Sequence, residues 1–148
     1  MLLKLELQSN PELLCAVRGA VERLTEKMGF PEPECRSVTR AVDEAMTNII
    51  RHAYGNQPDQ PIELTCFRAK RVDGGESVEG LEIILKDQGA QVDPEDMHGR
   101  PLDKVQPGGL GLHYIRQSMD VMEFTRTDGT NQLRLVKYLQ PKVSAPGF

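Results

Sequence analysis

Apolar and polar residues alternate over residues 2–8. Leu3, Leu5 and Leu7 fall on one side and Lys4, Glu6 and Gln8 on the other, the period of a half-buried strand. The period then changes. Asn10-Pro11-Glu12 is a helix start, with Asn10 as the capping side chain and Pro11 at the first helical position. Leu13, Leu14, Val17, Ala20, Val21, Leu24 and Met28 recur at helical spacing until Gly29 ends the run. A second helix is predicted from near Pro33 to Tyr54. Val38, Ala41, Val42, Ala45, Met46, Ile49, Ile50 and Ala53 form its apolar face, and Gly55-Asn56 and Pro58 stop it.

Residues 61–68 and 80–87 alternate as strands, Ile62 and Leu64 in the first and Leu81, Ile83 and Leu85 in the second. They read as a hairpin with a long tip around Asp73-Gly74-Gly75. Residues 88–109 hold three Pro, four Gly and few apolar residues. A loop of that length inside a compact domain is usually functional. A third helix is predicted at about 110–121, with Leu112, Ile115 and Met119 inward. A last hairpin joins 122–127 to 131–139 around Asp128-Gly129, and a frayed tail is expected from Gln140. This order predicts one domain over residues 1–148. Its fold class is α/β (α+β), a two-layer sandwich in which helices cover one face of a mixed, mostly antiparallel sheet.

Composition narrows the function classes. A chain of 148 residues has room for an ordinary core, and 39% hydrophobic with 27% charged residues suits a globular protein. The net charge of −4 argues against direct binding to nucleic acid, which needs a basic surface. No apolar run approaches the ~20 residues that span a bilayer, and the charged, alternating start is not a signal peptide. Cys15, Cys35 and Cys66 are odd in number and lack CxxC spacing, as expected of buried thiols in a reducing compartment. A cytoplasmic protein without a membrane partner is the expectation. His52, His98 and His113 are dispersed, without zinc-site spacing.

Three segments could carry chemistry. Glu44 and Asn48 are four apart on the second helix, which puts a carboxylate and a carboxamide on one face, with Arg51 on the same side. A solvated polar face is the alternative, and the spacing alone favours it. Asp87-Gln88-Gly89-Ala90 ends a strand and opens the long loop. An Asp there can accept a hydrogen bond from an exocyclic amine, and the Gly lets a flat ring approach the backbone. A plain turn is the alternative. Gly108-Gly109-Leu110-Gly111-Leu112 leads into the third helix. Free N–H groups at a helix N-terminus hold anions, although a hinge would use the same glycines. No Lys-Ser/Thr follows, so this is not a Walker motif.

In this order the three segments resemble the nucleotide-binding boxes of the GHKL ATPase superfamily (gyrase, histidine kinase and MutL type). The words around them, Ala41 to Tyr54 and Gly108 to Asp120, look like those of the anti-sigma factor serine kinases, and the resemblance covers about residues 3–139. It implies the Bergerat ATPase fold, Mg-ATP as cofactor, and a STAS-domain anti-sigma antagonist phosphorylated on serine. A sigma factor would be a further partner. It assigns Glu44 as general base, Asn48 as Mg²⁺ ligand and Asp87 with Gly89 as the adenine reader. Gly108, Gly109, Leu110, Gly111 and Leu112 form the phosphate loop, and residues 90–107 the lid. Ala90 departs from the second Gly that many superfamily members carry there. Arg51, Arg100, Lys104 and Arg116 are candidate phosphate contacts, each more readily a solvated surface charge. The first strand would pair across a homodimer, as the resemblance suggests, or form an edge of its own sheet. The alternative to a kinase is a nucleotide-dependent module that sequesters a regulator with little turnover. A detached histidine-kinase ATPase domain fits less well because no phosphoacceptor helix pair is seen. A gyrase- or MutL-like ATPase fits less well still, because no transducer domain follows.

Overall fold

The computed structural model describes residues 1–91 and 109–140, with the side chains of Gly109 and Leu110 not included. The lid residues 92–107, with Arg100 and Lys104, lie outside the described residues, as do His98, Gly108 and the tail from 141.

The chain opens with β1 (Leu3–Gln8). The Asn10 carboxamide oxygen accepts the Glu12 N–H at 3.0 Å, and Pro11–Leu13 form a single 3₁₀ turn before α1 (Leu14–Met28). Gly29, at φ +95°, takes the left-handed position that closes α1, where a side chain would be strained. Next comes α2 (Glu32–Asn48), whose axis continues through one π turn, Ile49–Ala53. The remaining elements are β2 (Pro61–Asp73), β3 (Glu76–Asp87), α3 (Gly109–Ser118), β4 (Val121–Thr127) and β5 (Thr130–Tyr138).

The five strands form one sheet in the order β1-β2-β3-β5-β4, and every pairing is antiparallel. Of the antiparallel and mixed arrangements expected, the described residues therefore show only the antiparallel one. β1 is an edge strand. Register sorts the faces. Leu5, Leu64, Leu85 and Leu133 lie in one row across four strands, with Ile62, Cys66, Ile83 and Leu135 beside them. Val17 and Val21 of α1, Val38, Val42 and Met46 of α2 and Ile115 of α3 pack on this face in one buried cluster. The opposite face carries a charged ladder, in which Arg134 pairs with Glu82 at 2.6 Å and Glu123 at 3.1 Å. Thr65 and Val136 are buried within that face.

The expected long hairpin tip is instead a two-residue turn. Asp73 pairs with Glu76, and Gly74 (φ +56°) and Gly75 (φ +85°) supply the positive dihedrals of a type I′ turn. Strands β2 and β3 thus extend well past the ends predicted for them. Residues 68–79 carry charge on both faces of a protruding ribbon, so no apolar alternation marks them. Asp128 (φ +51°) and Gly129 (φ +78°) make the same kind of turn between β4 and β5, as expected.

Candidate functional site

A cleft opens where α2, α3 and the ends of β3, β4 and β5 meet. Ala45, Ile49, Ala53, Leu112, Phe124 and Leu133 give it apolar walls, and Asn48, His52, Asp87 and Asn131 supply polar groups. Counting its open mouth, it encloses about 420 Å³ of atom-free space. Apolar walls joined to a few placed polar groups are the make-up of small-molecule sites.

Helix α2 delivers two of the expected side chains. Asn48 is 8% exposed, and one terminal atom of its carboxamide is buried with no hydrogen-bond partner among the described residues. Burying a polar atom without a partner is costly, so such an atom marks a place for a ligand. The two ends of an amide are interchangeable by rotation, and either the oxygen or the nitrogen can occupy that position. With its oxygen there, Asn48 offers the hard ligand that Mg²⁺ prefers. Glu44 lies one turn earlier. Its carboxylate sits beneath Gly111 in the first turn of α3, where a Cβ would come within 2.7 Å of Oε2. The small glycine is what lets α3 approach the Glu44 side chain. The N-terminal turn of α3, which presents free N–H groups, is thereby set beside Glu44.

The α2 end and the loop after β3 are joined through backbone. In the π turn the Tyr54 N–H reaches Ile49 O at 3.0 Å, and the Ala53 carbonyl accepts the Ala90 N–H at 2.8 Å. A Cβ on Gly89 would lie 2.4 Å from that same carbonyl oxygen. The structure thus gives Gly89 a steric reason that differs from the expected approach of a flat ring: the loop backbone packs directly on the helix. Tyr54 closes the same joint. Its hydroxyl donates to Pro61 O at 2.5 Å and accepts the Gln88 N–H at 2.7 Å. Burial holds this phenol above its ordinary pKa, so the donated proton stays in place.

Asp87 is 5% exposed at the end of β3. Its Oδ1 accepts the Gly89 N–H at 2.9 Å and an Asn131 amide hydrogen at 2.8 Å. Burial raises its carboxyl pKa above the usual range, and bonds from Asn131 and Gly89 with the Arg126 charge pull the other way. Asn131, 1% exposed, also donates to Ala90 O at 3.0 Å. Arg126 donates to Asn131 Oδ1 at 2.6 Å and Gly89 O at 3.1 Å.

Asn48, Asp87 and Leu112 therefore line one cleft, Gly89 packs on its wall at Ala53, and Glu44 and Gly111 meet next to Asn48 and Leu112 in the chain. Gly109 and Leu110 begin α3. Arg51 and Arg116 are exposed and are not among the residues lining the cleft. Sequence reasoning missed His52, Arg126 and Asn131. Asn131 lies directly opposite Asp87 in the β3–β5 register, a contact visible only once that non-local pairing is known.

Comparison with known proteins identifies the family. A model of the family described as histidine kinase-like ATPase domain matches residues 7–137. Serine/threonine-protein kinase BtrW of Bordetella bronchiseptica is 32% identical over 110 residues, covering 72% of each chain. Serine-protein kinase RsbW of Bacillus pumilus is 27% identical over 146 residues, covering 93% of this chain and 86% of the relative. The RsbW of Halalkalibacterium halodurans is 25% identical over 146 residues. No helix among the described residues is long and apolar enough to cross a membrane. The chain belongs to the histidine kinase-like ATPase domain family and is similar, over most of its length, to serine-protein kinases of that family.

Proposed function

We propose that the protein is a Mg-ATP-dependent serine-protein kinase. Its acceptor is a STAS-domain anti-sigma antagonist, and it exchanges that protein for a sigma factor. The observation that carries this reading is the placement of Glu44 and the unpaired Asn48 amide one turn apart, with the first turn of α3 and Asp87 around the same cleft. When bound, Mg-ATP supplies the γ-phosphoryl group and a metal charge that stabilises the departing diphosphate.

The chain's own residues would do the rest. The Asn48 oxygen would hold Mg²⁺, a hard cation that prefers oxygen ligands. Asp87 accepts a hydrogen bond from the adenine amine through Oδ2, since both of its bonds among the described residues fall on Oδ1. The N–H groups opening α3 face the phosphates. Glu44 would accept the proton of the acceptor serine hydroxyl as the serine oxygen takes the γ-phosphoryl group and ADP leaves. Transfer of this kind rests on positioning and charge stabilisation rather than a covalent enzyme intermediate.

Glu44→Gln separates binding from transfer. Gln keeps the shape but removes the base. Phosphorylation of a STAS-domain acceptor serine should fall by about 10²–10⁴-fold, the usual contribution of a positioned base, while ATP affinity stays close to wild type. Radiolabel transfer and calorimetry read the two quantities. If the wild type binds ATP but never labels a serine, the kinase reading fails and a nucleotide-dependent sequestering module takes its place.

A further inference from the structure

We infer that Asn131, held in place by Arg126, is a positioning residue that aims Asp87 and so sets how strongly the cleft prefers a purine bearing a 6-amino group. The inference rests on the proposed reading of Asp87 as acceptor for that amine.

Asp87, Asn131 and Arg126 form one cross-strand row: Asp87 of β3 is opposite Asn131 of β5, and Asn131 is opposite Arg126 of β4. The Asn131 carboxamide can sit only one way round. On one side it meets three oxygens, Asp87 Oδ1 at 2.8 Å, Ala90 O at 3.0 Å and Gly89 O at 3.4 Å. On the other it meets the Arg126 guanidinium at 2.6 Å. Turning the amide over would set its oxygen against three acceptors and its NH₂ against a cation. Arg126 has donors only, so it selects the orientation that gives Asp87 a hydrogen.

The consequence falls on the other carboxylate oxygen. Two N–H groups, from Gly89 and Asn131, hold Oδ1 and stop rotation about the Cβ–Cγ bond. Oδ2 is then kept as an acceptor at the cleft that Asp87 lines. Without Asn131 the carboxyl loses one of its two tethers among the described residues. Burial, the largest influence on this group, then acts with less opposition toward the protonated form, which is a poorer acceptor.

The test pairs a protein change with a ligand change, using the full chain. ATP and purine riboside 5′-triphosphate, in which hydrogen replaces the 6-amino group, are titrated by calorimetry into wild type, N131A, R126A and Arg126→Lys. The wild type should prefer ATP by roughly tenfold or more, because the analogue leaves a buried acceptor unpaired. N131A should bring that ratio close to one, by weakening ATP and hardly affecting the analogue. A merely structural role for Asn131 would weaken both ligands alike and keep the ratio. Arg126 is exposed, so R126A leaves the core intact and gives the same reading if N131A is insoluble. It should lower the ratio part of the way, and Arg126→Lys, which retains a donor, should restore most of it. A wild-type preference that both N131A and R126A leave unchanged overturns the inference alone. Equal binding of the two nucleotides by wild type overturns the reading of Asp87 and the inference with it.

Discussion

Gly89 and Gly111 each pack closely on a neighbour, yet a methyl group on each would meet different obstacles. On Gly89 it would strike the Ala53 backbone, its carbonyl oxygen at 2.4 Å and carbon at 2.6 Å. Backbone held in a helix end cannot step aside, so Gly89→Ala should break the Ala90–Ala53 bond and destabilise the fold. The expected cost is about 1–3 kcal/mol, measured by urea unfolding. On Gly111 the obstacle is the end of the Glu44 side chain, which can rotate. Gly111→Ala should therefore change stability little and still lower phosphoryl transfer by displacing Glu44. Asp87→Asn tests the buried carboxyl. Because the folded pKa is raised, the stability of its protonated form is full below the ordinary carboxylate range and is lost as pH rises through the folded value. Asn stays neutral throughout. Asp87→Asn should therefore melt higher than wild type at pH 7, with the gap closing as pH falls toward about 4. It should also bind ATP at least about tenfold more weakly, because with Oδ1 still tethered its NH₂ group replaces the accepting Oδ2. A lower melting point for Asp87→Asn at pH 7 would contradict this account of the residue.

Among the elements, those with local signals were legible in the chain. β1 alternates and has one half-buried face; Gly29 closes α1; Asp128-Gly129 makes the second hairpin. Asn10 caps where the sequence places a cap, although a 3₁₀ turn intervenes before α1. Asn10→Ala should cost about 1 kcal/mol in urea unfolding, the usual worth of such a cap. An unchanged unfolding midpoint would show that the Glu12 N–H is satisfied equally well by water. Elements set by geometry beyond the local pattern were not legible. The outer half of the β2–β3 ribbon is exposed on both faces, so only Gly74-Gly75 signals its turn. The π turn at Ile49–Ala53 continues the apolar face of α2, and nothing in the periodicity separates it from an α-turn.

At the scale of the whole molecule, the sheet and the helices over it share one core, and the cleft lies where that core opens toward α3 and the strand ends. Glu44, Asn48, Asp87 and Gly111 were candidates in the sequence because the short segments that hold them resemble, together, the boxes of a known superfamily. Asn131 and Arg126 were not, because they reach Asp87 only through the register of three strands. A ligand in this cleft would touch α2, β3 and α3 together, so binding should stabilise the fold as a unit. ATP at one hundred times its Kd adds about 2.7 kcal/mol. For a chain of this size that should raise the melting midpoint on the order of 5–10 °C. The most direct measurement is calorimetric titration of ATP, with and without Mg²⁺, into wild type and Asn48→Ala. The amide atom in question has no partner among the described residues, so its removal breaks no bond there and the variant should fold. The account predicts Mg²⁺-dependent binding in wild type, weakened at least about tenfold in Asn48→Ala, a difference of roughly 1.4 kcal/mol. A folded wild type that does not bind ATP, or binds it with no regard to Mg²⁺ or to Asn48, would contradict it.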